Sequence, residues 1–275
     1  MNALRFAAVW AGVAVLAACD NKNAGPTYAD KVPLAAVRFV NAVPDTGNMD
    51  WRFVDVIENS PVTFGMKYRD VYPGASYQAL GAGSRHLRIF QTSTDITQTQ
   101  VVLFDTTYNF SAGAHYTIMA AGALRNKSAK LYILQDDYSD PGSNVAVRVI
   151  NVGAGSSVDV YGSASGGTST LPASPLVAGV AQYTASKWVT MAPGALVLRV
   201  FSSGSTVFPA MIDASAPAGA AADRANNLSA VGGSTIAGSA FTAFAFPPSV
   251  VGSQAASAKT ATIVYAVDRY PPSGF

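Results

Sequence analysis

VRFVNA at residues 37–42 and VRVINV at 147–152 are one strand written twice. Both are β-branched or aromatic at half or more of their positions, with an arginine second and an asparagine fifth, and both run into turn residues. Such side chains suit a pleated surface, and a match at this separation calls for a search for further repeats. Met49-Asp50-Trp51 returns as Val158-Asp159-Val160. Ala82-Gly83 with Leu87-Arg88-Ile89-Phe90 returns as Pro193-Gly194 with Leu198-Arg199-Val200-Phe201, and Ala121-Gly122 aligns with Gly232-Gly233. Ordered matches at offsets of 109 to 111 residues define two copies of a domain of about 110 residues.

Within the first copy the apolar runs 36–42, 49–56, 77–80, 86–91, 100–104, 116–120 and 130–134 are short and bounded by Gly, Pro, Asp or Asn. That pattern predicts an all-β sandwich, and no stretch of the mature chain keeps a capped 3.6-residue period. The expected organisation is a signal peptide over 1–18, a tether over 19–33, a first sandwich over 34–140 and a second over 141–275. The run 261–267 is expected as an extra C-terminal strand with no counterpart in the first copy, completing a sheet edge.

The VRFVNAVPD opening, the following Asp-hydrophobic strand, Ala82-Gly83 before LRIF, and YTIMAAG at 116–122 carry a resemblance. Together they resemble the family catalogued as domain of unknown function 4397, here in tandem, as in bacterial lipoproteins that carry it. The resemblance spans roughly residues 34 to 250 and departs from its own pattern at Val152-Gly153-Ala154-Gly155, where the first copy has Ala42-Val43-Pro44-Asp45. It implies two tandem immunoglobulin-like antiparallel β-sandwiches and an extracytoplasmic address. It implies no activity and no catalytic residue.

The N-terminus points the same way. One basic residue at Arg5 precedes the apolar stretch from Phe6 to Ala18, which is shorter than the roughly 20 residues of a membrane-spanning helix. Leu16-Ala17-Ala18-Cys19 then meets the polar Asp20-Asn21-Lys22-Asn23. This resembles the bacterial lipobox, in which the cysteine receives a diacylglycerol, the signal is cut before it, and the new amine is acylated. Two or three chains anchor stably where one does not, at about 0.8 kcal/mol per buried methylene. The expectation is a lipoprotein held to a membrane of the cell envelope on its extracytoplasmic side. Asp20 resembles an inner-membrane retention signal, but that rule differs between bacterial groups, so inner and outer membrane both stay open.

Of the 275 residues, 18 are Lys or Arg and 16 Asp or Glu, a net charge of +2, and charged residues make up only 12%. That balance excludes an electrostatic nucleic-acid binder, and a single Cys excludes a disulfide scaffold or a Cys-based zinc site. His86 and His115 are the two imidazoles. They lack metal-ligand spacing and a Gly-x-Ser-x-Gly elbow, and read as ordinary strand residues. Asp136, Asp137 and Asp140 resemble a calcium-binding acidic loop without its ligand spacing, so a solvated linker is the expected reading. Gly81-Ala82-Gly83 and Gly153-Ala154-Gly155 open no helix and read as turns rather than phosphate loops. Trp51 and Trp188 could stack on sugars, although aromatics in alternating strands are mostly core.

Arg38 and Asp50 recur as Arg148 and Asp159, one charge on each of two successive strands. They are expected as repeated structural ion pairs across the strands, with a binding face as the alternative. No cofactor is implied beyond the diacylglycerol and N-acyl chain on Cys19. The sequence predicts a non-enzymatic interaction or structural module that meets a membrane through its lipids and an unknown envelope protein or glycan. The Gly/Ser-rich 162–170 loop is its expected contact, dispensable for folding. An extracytoplasmic hydrolase, or a carbohydrate-binding or solute-binding lipoprotein, is the alternative.

Overall fold

The run that opens each copy is apolar at consecutive rather than alternate positions, which is the signature of a strand buried on both faces. In the computed structural model, which describes residues 32–55, 62–95, 101–137, 140–164, 170–253 and 255–271, these runs lie in β1 (Leu34–Ala42) and β10 (Val145–Asn151). Val37 and Phe39 of β1 enter one core, while Val40 and Ala42 enter another on the opposite face.

β1 pairs along one edge with β4 (Val71–Tyr72) and β5 (Gln78–Gly81) and along the other with β8 (His115–Ala121), beyond which lies β9 (Lys130–Asp136). The β1–β8 ladder is parallel and the others antiparallel. A second, wholly antiparallel sheet runs β3 (Val62–Met66), β2 (Met49–Phe53), β6 (Gly83–Gln91), β7 (Val102–Phe110).

The second half repeats this plan. β13 (Val189–Met191), β10, β16 (Ala240–Phe246) and β17 (Thr262–Arg269) form one sheet, again with a parallel β10–β16 ladder. β12 (Val177–Ala181), β11 (Ser157–Ser163), β14 (Val197–Ser202) and β15 (Ile212–Ser215) form the other. The fold is all-β with sandwich-like sheets, none of them closed into a barrel, and no helix occurs among the described residues.

Three cores bind the four sheets. Phe39, Trp51, Phe53, Ile89 and Phe110 belong to the core of the first half, and Val149, Val160, Val200 and Phe241 to that of the second. The third core draws on both halves: Val40, Tyr68 and Met119 meet Ile150, Phe244 and Phe246. Pro33–Phe275 accordingly form one compact unit.

Two expectations are corrected. The C-terminal strand is not extra. β17 pairs with β16 as β9 pairs with β8, so LYILQD at 131–136 has its counterpart in IVYAVD at 263–268. Nor does Ala121-Gly122 correspond to Gly232-Gly233. Gly122 follows β8, whereas Gly233 precedes β16, inside the connection 216–239 that replaces the short 111–114 turn of the first half. That insertion breaks the constant offset beyond β15.

Candidate functional site

On β1, Val37 and Phe39 turn toward the first core, so the alternation of the strand sends Arg38 to the seam between the halves. Arg148 reaches the same seam from β10. Each arginine lies beside a threonine in the parallel ladder, Arg38 with Thr117 and Arg148 with Thr242. The threonine hydroxyls donate to Asp136 (2.6 Å) and Asp268 (2.7 Å), at the ends of β9 and β17.

The ion pairs cross. Arg38 Nη2 lies 2.9 Å from Asp268 of the other half and 3.9 Å from Asp136 of its own. Arg148 lies 2.8 Å from Asp136 and 3.6 Å from Asp268. The Tyr77 hydroxyl is placed to donate to either carboxylate, 2.7 Å from Asp268 and 3.0 Å from Asp136. Aromatic rings complete the symmetry, with Arg38 4.6 Å above the Tyr77 ring and Arg148 4.8 Å above that of Trp188.

All four charged side chains are buried. Burial, reinforced by the Asp268 carboxylate, pushes the Tyr77 phenol far above its ordinary range. For Arg148, burial opposes the charge, but Asp136 and Asp268 outweigh it and raise the guanidinium. Two cations and two anions thus neutralise one another in a buried seam. Such a set adds little net stability over an apolar core, yet removing one member strands a buried charge. Its chemistry is that of a lock.

Arg38 and Arg148 therefore do not pair with Asp50 and Asp159 as expected. The arginines face the seam, whereas the aspartates stand on β2 and β11 in the outer sheets. There they form a second repeated device. Asp50 accepts the Gly65 N–H (2.8 Å), the Thr92 hydroxyl and a long contact from Arg52 (3.5 Å). Asp159 accepts the Gly179 N–H (2.7 Å), the Ser203 hydroxyl (3.0 Å) and the Gly204 N–H (2.8 Å). Gly65 and Gly179 have φ of +65° and +63°, a left-handed conformation that glycine adopts freely. Burial raises the Asp159 carboxyl, but the bonds from Gly204, Gly179 and Ser203 together hold it below the usual carboxylate range. A third device, Asn41 and Asn151, was not singled out from sequence despite its repetition. Each amide donates across to β3 or β12, at Met66 and Val180, and each side-chain oxygen accepts a backbone N–H two residues on.

The other candidates disperse. Asp136 is a buried member of the lock rather than a linker residue, the Asp137 carbonyl accepts the Trp188 indole, and Asp140 pairs with Arg269. No group of three His, Cys, Asp or Glu side chains able to hold a metal occurs among the described residues. Trp51 is fully buried against Phe39. His115 packs edge-on against Tyr77 (4.9 Å) in the inner sheet. Cys19, with the whole signal and almost all the tether, lies outside the described residues.

One chemically mixed face remains open, the outer side of the β3-β2-β6-β7 sheet. Arg52 stands over the rings of Phe64 (5.0 Å) and Phe90 (5.2 Å), and Phe64 is 62% exposed. Beside them Asp105 binds His86 Nε2 (2.6 Å) and Arg88 Nε (2.8 Å), and these bonds hold its carboxyl below the usual range. Two concave regions accompany it elsewhere. A cleft of about 180 Å³ at one end of the seam is lined by Pro44, Gly122, Gly153, Tyr183 and Pro247, and a groove of about 430 Å³ lies along 176–181 and 184–189. The first is smaller than most ligand pockets.

These features define a repeat protein of sandwich-like all-β sheets, its halves locked through a shared buried seam. Residues 35–161 match the family model described as domain of unknown function (DUF4397). The match opens in β1 and closes in β11, so it takes in the first half whole and crosses the seam. No curated protein matches the chain.

Proposed function

We propose that this chain is a lipid-anchored, non-enzymatic protein of the bacterial envelope, held to a membrane on its extracytoplasmic side. Its two immunoglobulin-like halves present a contact surface to an envelope protein or glycan. The observation that carries the reading is where the repeated charge goes. Arg38, Arg148, Asp136 and Asp268 bind one another, and Asp50 and Asp159 bind backbone, so these groups hold shape. The lipobox at Cys19 supplies the anchor, and the diacylglycerol and N-acyl chains are its only covalent additions in this reading. The open face around Arg52, Phe64 and Phe90 supplies aromatic and hydrogen-bonding groups for a glycan or protein.

The His86–Asp105 contact favours a second reading, an extracytoplasmic hydrolase, because an acid that orients an imidazole is half of a nucleophile-activating set. Two experiments test the pair. Cys19→Ser is expected to leave an uncleaved precursor that takes up no labelled palmitate, and normal processing with membrane retention would sink the anchor. A panel of esterase, glycosidase and peptidase substrates is expected to show no turnover. Turnover abolished by His86→Ala or Asp105→Ala would make the protein an enzyme.

A further inference from the structure

β7 is the edge of its sheet, nine residues long, and reads Val-Leu-Phe-Asp-Thr-Thr-Tyr-Asn-Phe over 102–110. Among the described residues no backbone hydrogen bond reaches its outer side. Proteins usually blunt such an edge with proline, lysine, a bulge or a short strand, because alternate N–H and C=O groups otherwise stand ready to pair.

Most other edges among the described residues are blunted. β15, which holds the same place in the second half, has four residues and runs into Pro217. β3 and β12 carry the left-handed Gly65 and Gly179, and β4 and β13 have two and three residues. β17 is covered where Val267 accepts the Ser76 N–H (2.7 Å), and β9 begins with Lys130. β7 has neither proline nor lysine, and its one irregularity, a bulge at Leu103, lies near its start and leaves 104–110 in regular register.

We infer that β7 pairs antiparallel with β7 of a second copy of this chain, about a two-fold axis at Thr106, joining two outer sheets into one. The register fits the sequence to itself. It sets Phe104 against Tyr108 on the inner face and Asp105 against Thr107 on the outer, short of the bulge at Leu103, which packs against the first core. No like charges stand opposite, and aromatic cross-strand pairs favour the ladder. An isologous contact of this kind closes at two copies rather than growing into a filament. The inference is independent of the lipid anchor and of what the open face binds.

Asp105 and Thr107 are both exposed, so the contact can be tuned without touching a core. Sedimentation equilibrium of the full chain in detergent is expected to show a dimer. Thr107→Asp, which sets carboxylates opposite each other twice, is expected to raise the dissociation constant at least about tenfold. Thr107→Lys, which faces Asp105, is expected to lower it. Thr106→Cys in a Cys19→Ser chain is expected to form a disulfide-linked dimer on mild oxidation, because residues facing each other on the axis lie within disulfide reach. Circular dichroism checks that each variant is folded. A folded monomer throughout the concentration range, or a dimer indifferent to both charges and uncrosslinked by Thr106→Cys, overturns the inference.

Discussion

β6 and β14 hold the same place in their halves, yet their arginines lead different lives. Arg88 lies on an open face and binds Asp105, whereas Arg199 is buried and donates to the Thr170 carbonyl (3.0 Å) and the Ser163 hydroxyl (2.6 Å). Around Arg199, Tyr161, Phe201 and Phe208 stack edge to face, where the first half offers Phe64 to solvent. At the seam the halves agree almost residue for residue: arginine, threonine, aspartate and an aromatic ring on each side. A surface that must fit its own copy cannot change on one side alone, while an outward face carries no such constraint. Divergence between the halves therefore marks where a partner could be read, and agreement marks scaffold.

The strongest way to break this comparison is to remove one member of the lock. Asp136→Ala and Asp268→Ala should each cost about 3–5 kcal/mol, since each leaves an uncompensated buried guanidinium. Denaturant unfolding should show one transition in the parent and similar losses in the two variants. A large loss for one and none for the other would end the equivalence of the halves. Replacing Arg38, Arg148, Asp136 and Asp268 together by apolar residues of similar volume should cost less than either single change.

A smaller effect separates the outer faces. Arg199→Ala should cost about 2–3 kcal/mol, because buried hydrogen bonds from a charged donor are lost, and Arg88→Ala at most about 1 kcal/mol. Equal losses by the same measurement would mean that the two faces are not distinguished by burial. Ser163 and Thr170 accept the Arg199 bonds at the two ends of the 162–170 segment, so deleting it is expected to leave Arg199 without them.

The smallest effect is one of pH. The Asp159 carboxyl is held below its ordinary value, so the stability it contributes is present above about pH 4 and is lost as pH falls through the depressed value. Asp159→Asn should be less stable than the parent at neutral pH and should lose less on acidification. Parallel stability curves from pH 7 to pH 2 would remove Asp159 from the acid response.

Strand content and the repeat could be read from the sequence because burial leaves a pattern. LRIF alternates, as a strand with one wet face does, and VRFVNA does not, because β1 is covered on both sides. The arginine inside that apolar run was itself the sign of the seam, but a charge reveals its face only once its partners are known. Arg38 meets Asp268 from 230 residues away, and Arg148 meets Asp136 from 12 residues away across the boundary between the copies, so neither pair falls at a spacing inside one repeat. Asp50 and Asp159 recurred in step with the arginines and so looked like their mates, although the alternation of adjacent strands placed them in other layers. β17 escaped because the 216–239 insertion carried it out of phase, even though Tyr116-Thr117 and Phe241-Thr242 preserve the signature of the preceding strand.

The crossing of the ion pairs has a consequence for ancestry. Each half carries both a cation and an anion for the seam, and each answers the opposite charge of its neighbour more closely than its own. A single-copy forebear would have borne the complete recognition set on one face, and two such molecules would have met as these halves do. On that view the present chain is a homodimer whose subunits were fused by gene duplication. Fusion of such a pair removes the concentration dependence of its union and frees the outward surfaces to change separately.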